Sequence, residues 1–441
     1  MAGRKRSLQV TRPTGRRRAL ELIKNLLILL LVCSAVYLLF RAGLVKNLPG
    51  FLSRQLETEQ TGAAAEERPE EAVRPFRLAV RNSKGLFAVQ YDAAQLGTAF
   101  DRVSSLLGEG LATAGERRDL SDRQWQSCLD RAGVYCDFRG ELPLSVFTAW
   151  LGGVETASGE TVREILLSWD GDQMTLGCRG AAGAWAYTTR VVYAGHLEPV
   201  LEEFSPNGAA FAYSLEDPIY QSLDPYVLVD LTALSPIVYN AATPELTGNA
   251  DTLTTLLGAL GFQSKGGAAY TTSDGMAVSE GTDRLRVSRG GGVSFQAGTS
   301  ASRYPVASEG ESPTAAEAAQ AAWNLLNQAV APFVGESSYC LLGAEAAADG
   351  WTVTFGSRLA GAPVLMNGDD QVASFTVKGG HITGFTLSLR TYVNSGSTSS
   401  LLRERLAVAA LGTDGNGQSR LSLCYSDNGG ESVSAGWFAE E

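Results

Sequence analysis

The segment LIKNLLILLLVCSAVYLLF, Leu22 to Phe40, constrains this chain more than any other feature. As a helix it would rise about 28 Å, close to the roughly 30 Å hydrocarbon core of a bilayer. Lys24 lies near one end, where its long side chain can snorkel to the headgroups. The flanking charge sets the orientation. Residues 1–41 hold nine Lys or Arg against the one acid Glu21. The positive-inside rule then predicts a basic cytoplasmic tail over 1–21, a transmembrane helix over 22–40 and an extracytoplasmic remainder. A cleaved signal peptide would need a small-x-small motif just after the apolar run, where Leu38-Leu39-Phe40-Arg41 stands instead. The expected location is therefore the cell membrane, crossed once.

Charge bounds the partners. Taking those ten residues from totals of 36 basic and 47 acidic leaves 27 against 46, a net charge of −19 after residue 41. A body this acidic repels nucleic acid and anionic lipid. Five cysteines follow the span, at 128, 136, 178, 340 and 424. Their scattered spacing fits neither a zinc site nor a disulfide framework, so small buried residues are expected. Cys128 and Cys136 are the one candidate bridge.

The remainder reads as α+β: a multidomain ectodomain of antiparallel sheets with helices packed on them. Residues 41–75 form a polar stalk. An N-terminal block over 76–203 offers strands at Phe76–Val80, Leu86–Tyr91 and Val134–Phe138, a capping box at Ser121-Asp122-Arg123-Gln124 and a hairpin about Asp170-Gly171-Asp172. A central block over 204–303 offers strands at Ala209–Ser214 and Tyr226–Leu231, a helix stopped by Gly261, then short strands up to Phe295. Ser302–Pro313 reads as a linker within the junction to a last block over 304–441. There Thr314-Ala315-Ala316-Glu317 is a capping box, and Trp351, Ala373 and Phe385 lie on alternating runs that predict a three-stranded meander.

Catalytic motifs are scarce. His196 and His381 are the two histidines, so no H-E-x-x-H exists. None of the six lysines follows a serine by three, and no G-x-S-x-G occurs. His381 stands after Lys378-Gly379-Gly380, between two period-two runs, which makes it a turn residue beginning a strand. The pairs Asp170/Asp172 and Asp369/Asp370 also read as turn residues. No catalytic, metal or cofactor site is expected. Inside the apolar run, Asn25, Ser34 and Tyr37 are polar groups able to bond a partner helix where water is absent, and they are the candidate contact residues.

The order of parts resembles the YycH family. The likeness rests on Val134–Phe138 leading into Glu141-Leu142-Pro143-Leu144, and on Leu285-Arg286-Val287 before a glycine turn and Val293-Ser294-Phe295. It continues through Trp351-x-Val353-x-Phe355, Gly361-Ala362-Pro363-Val364, Leu421-x-Leu423-x-Tyr425 and Ala435-Gly436-Trp437, which look like a YycI-like or PepSY-like module. The resemblance implies a non-enzymatic regulator, paired with a YycI-like membrane protein, of a WalK-type sensor histidine kinase governing cell-wall metabolism in Gram-positive bacteria. The competing reading is a wall-associated enzyme, protease-inhibitor-like protein or ligand-binding scaffold.

Overall fold

Alternation along the strands builds two large sheets. The computed structural model describes residues 69–440 except 155–157, 172, 190–193, 230–233, 264–267, 300–302, 308–311 and 412–418. Residues from 67 onward make one compact unit. Its chain enters through a single helical turn, α1 (Pro69–Ala72).

The first sheet has β1 (Arg77–Asn82), β2 (Gly85–Gln90), β3 (Arg117–Leu120), β4 (Ala132–Pro143), β5 (Thr161–Trp169), β6 (Met174–Gly180) and β7 (Gly183–Thr189), in the order β2-β1-β4-β5-β6-β7-β3. Leu78, Val80, Val134, Cys136, Ile165 and Leu167 turn to one face. Covering that face are α2 (Ala93–Ala112), α4 (Leu144–Trp150) and α5 (Ala194–Glu202), while α3 (Asp122–Leu129) lies on the opposite face. The expected capping box is formed, Ser121 and Gln124 satisfying each other's backbone N–H groups. Ala79, Tyr135 and Leu166 turn the other way, to Trp125, Phe211 and Tyr226.

Residues 204–229 contain less regular structure than their composition predicts. The expected Ala209–Ser214 strand shrinks to β8 (Ala210–Phe211) followed by a 3-10 turn at Ala212–Ser214, and the second begins only at β9 (Leu228–Val229), its expected last two residues lying outside the described set. Asp224 diverts the backbone: its carboxylate accepts from Tyr226 N and its carbonyl from Val227 N, so these donors are spent on a turn.

The second sheet has thirteen strands. They are β10 (Ile237–Ala242), β11 (Ala268–Thr271), β12 (Gly275–Glu280), β13 (Asp283–Ser288), β14 (Gly292–Gln296), β15 (Ser338–Ala347), β16 (Gly350–Leu359), β17 (Ala362–Met366), β18 (Gln371–Lys378), β19 (His381–Ser388), β20 (Thr391–Thr398), β21 (Arg420–Asp427) and β22 (Ser432–Glu440). An antiparallel platform runs β11-β12-β13-β14-β19-β18-β16-β15 and contains the expected meander β16-β18-β19. The far end of β16 pairs instead with β17, which opens a branch β17-β21-β22-β10-β20 whose first pair is parallel. The helices α6 (Ala250–Ala259) and α7 (Ala315–Val330) lie on the platform side, and α8 (Glu404–Leu411) lies by the branch. Gly261, at φ 68°, ends α6 as its composition predicts, with Phe262 N donating back to Leu257 O.

One core joins the stretches on either side of residues 203 and 303. Phe147 and Trp150, Leu256 and Phe262, and Trp323 and Phe355 all belong to a single buried cluster. The expected linker is docked at its described residues: Tyr304 packs on Phe295 and Phe385, and Arg303 pairs with Glu280 and Asp283 over the Phe262 ring. Strands β3 and β20 escape sequence reading because RRDL and TYVNSGST lack alternating apolar residues. The five cysteines after the span are buried and unbridged, which removes the Cys128–Cys136 candidate.

Two outcomes follow from this packing. Trp323→Ala, which empties a site 1% exposed beside Phe355, should cost about 3–5 kcal/mol in urea unfolding. Under native conditions these five thiols should resist iodoacetamide, and all five should carry adducts by mass spectrometry after denaturation without reductant.

Candidate functional site

Arg77 of β1, Asp137 of β4 and Glu164 of β5 are buried charged side chains on the face of Ala79 and Tyr135. Strand register sets Gln90, Arg77, Asp137, Glu164 and Arg179 side by side across five strands. Arg77 donates to Asp137 Oδ2 at 2.8 Å and to Gln90 Oε1 at 3.2 Å. Its remaining Nη reaches the second sheet, at Leu421 O (2.9 Å) and Ser422 Oγ (2.6 Å) on β21. Arg420, from the same strand, reaches the other way: Glu164 Oε1 lies 2.5 Å and Asp224 Oδ2 2.8 Å from its Nη2. Arg179 completes the group, 3.3 Å from Glu164 and over the Tyr226 ring.

Two residues along β4 from Asp137, Arg139 lines a cleft of about 720 Å³. A bulge in β4 places Arg139 there at φ 67°, an unusual conformation for a side chain this large. The Asp137 carboxylate holds that turn by accepting from Arg139 N at 2.8 Å. Arg139 then spans the cleft, donating to Glu440 Oε1 and Asp370 Oδ2, both at 2.8 Å. Arg163 donates to Glu440 Oε2 at 2.7 Å. Asn367, on the cleft wall, is also left-handed at φ 53°.

The electrostatics favour holding over proton transfer. Burial alone would raise the Asp137 carboxyl, but Arg163, Arg77 and Arg420 together hold it well below the ordinary range. For Glu440 burial is likewise outweighed, by Arg77, Arg163 and Arg139, leaving it at about 2. Cys424 in the cleft is pushed up by burial to about 12, so it stays a thiol. Burial pushes Glu164 up as well, but its carboxyl is 1% exposed and closed in by Arg420 and Arg179. A general acid or base works best with a pKa near the working pH and an open path to its substrate, and none of these groups combines the two.

A second buried cation stands beside the point where the chain enters. Arg358 of β16 lies 3.7 Å from the centroid of the Phe76 ring, and Arg139 lies 5.9 Å from it. The Arg358 Nη atoms donate to Arg74 O at 2.6 Å and Pro75 O at 3.3 Å. No carboxylate pairs with it among the described residues, and burial lowers its pKa.

Of the residues singled out by sequence, Asn25, Ser34 and Tyr37 lie outside the described residues, as does the whole apolar run. Among the described residues no helix is long and apolar enough to cross a membrane, and no group of three His, Cys, Asp or Glu is placed to hold a metal. His381 begins β19 as expected, its Nδ1 3.0 Å from Gly379 O in a turn where Gly379 and Gly380 take positive φ. His196 is the third residue of α5, and its side chain falls outside the described set. Asp170 serves its turn by accepting from Gln173 N. Asp370, read as a turn residue, is also a partner of Arg139. The ion row itself escaped sequence reading, although Arg77 and Asp137, each flanked by strand apolars, were the available signal. No family model, curated protein or solved structure matches the chain.

Removing Arg77 takes from the buried Asp137 its shortest ion pair, at 2.8 Å, and leaves only the longer contacts to Arg163 and Arg420. Arg77→Met should therefore cost about 3–5 kcal/mol in urea unfolding. Glu440 adds a pH dependence whose sign is set by its lowered folded pKa, about 2 against about 4.3 for an ordinary glutamate. Its stabilisation, on the order of 3 kcal/mol, is full above about pH 5 and fades as pH falls toward 2. Denaturation midpoints between those limits should drop with acid, and Glu440→Gln should flatten that fall.

Proposed function

We propose that this chain is a non-enzymatic, membrane-anchored extracytoplasmic regulator of a WalK-type sensor histidine kinase, acting with a YycI-like membrane protein. In this reading residues 22–40 are a single transmembrane helix whose Asn25, Ser34 and Tyr37 contact partner helices. The observation that carries it is the anchoring of the approach segment. Arg358 grips the carbonyls of Arg74 and Pro75 and stacks on Phe76, and Arg139 faces the same ring while holding Glu440 and Asp370. A tilt or rotation of the body thus carries residues 74–76, where the chain enters it, along with it. Regulation needs no more than that, together with a surface that binds one kinase state better than another.

The guanidinium and carboxylate groups of the cleft support the same reading, being engaged with one another rather than aimed at a reacting centre. The resemblance to the YycH family supports it from the sequence side. A wall-associated enzyme would instead depend on His196 or His381.

Photo-crosslinkers placed at Ser34 and Tyr37 in the native membrane should capture the sensor kinase or a YycI-like protein, identified by mass spectrometry. Capture of wall hydrolases or synthases with no kinase would overturn the regulatory reading.

A further inference from the structure

We infer that the uncovered face of the platform strands β13-β14-β19-β18-β16 is a binding site for an anionic glycan. The opposite face is filled by Phe295, Phe355, Phe375, Phe385 and Trp323. On this one, register lines up Arg286, Ser294, Thr386, Ser374 and Thr354 across β13, β14, β19, β18 and β16. A second row, one pleat along, reads Arg284, Gln296, Gly384, Thr376 and Thr352. All ten are exposed or half-buried. The first row continues through Ala277 to Tyr270, a ring 54% exposed.

Three observations identify the occupant. The first is charge. Arg284 and Arg286 have no ion pair among the described residues, although the chain after residue 41 carries a net −19. Along these ten positions no acid occurs, and the first one met beyond them is Glu345, opposite Thr352. The second is a trough of about 360 Å³ between the two arginines and Thr376. Gly384 leaves it open: the residue has no positive φ, and a Cβ there would meet nothing nearer than Phe295 O at 3.4 Å. The third is chemistry. Interior strands have spent their backbone donors on the ladder, so an acidic peptide could not add as a strand, and the rows offer no apolar pocket for its side chains. A polymer lying across the strands along the first row instead meets a hydroxyl or guanidinium about every 4.8 Å. Tyr270 supplies a flat apolar surface for a sugar ring. The site is independent of the kinase contact, so either can fail without the other.

The full chain, in detergent micelles, should bind immobilised polygalacturonate in biolayer interferometry, weaken with added salt and ignore neutral dextran. Arg284→Ser/Arg286→Ser, at exposed strand positions, should weaken it about tenfold or more, and Gly384→Val, which fills the trough, should do likewise. Urea midpoints check that both variants fold; if Gly384→Val does not, the arginine pair alone decides. Equal binding by wild type and the double variant would overturn the proposal. So would absence of binding, or tighter binding to poly-L-glutamate, which would make the face a site for an acidic protein.

Discussion

The joint between the two sheets depends on one buried ionic contact. Arg77 is 2% exposed and Asp137 1%, and neither could be taken out of water without the other. Each also serves the opposing sheet. Arg77 donates to the backbone and side chain of β21, and Arg420 from β21 returns to Glu164 and Asp224. A purely apolar interface could slide along its strands by one pleat at modest cost. Here a slip would strand several guanidinium and carboxylate groups in low dielectric, which gives the contact a single register.

That register determines the rest of the site. With β21 and β22 fixed over the first sheet, Glu440 lies between Arg163 and Arg139, and Arg139 must leave the strand in a left-handed conformation to reach it. The same bend brings Arg139 over Phe76, whose other guanidinium neighbour is Arg358. Approach segment, cleft and inter-sheet joint are thus one connected set of contacts.

The two faces of the long sheet divide the remaining work. Aromatic residues fill one and define a core shared by the stretches 72–204, 246–262 and 278–389. Hydroxyls and two arginines occupy the other and leave it available for recognition.

Much of this was legible in the residues themselves. Period-two runs such as Ala373–Val377 and Phe385–Leu389 determined strands, and the capping boxes at Ser121 and Thr314 determined helix starts, because these signals are local. The same holds for the Gly379-Gly380 turn, which needs only the positive φ that glycine takes without strain. Alternation tells which side chains share a face, but not whether water or protein lies beyond it. Nothing local in the sequence around Arg77, Asp137 and Glu164 tells that β21 covers them. The hydroxyl rows of β18 and β19 follow the same pattern and remain open. Only the tertiary structure decided between the two, because Leu421 and Ser422 meet Arg77 from more than 340 positions away, a distance over which no local pattern carries information.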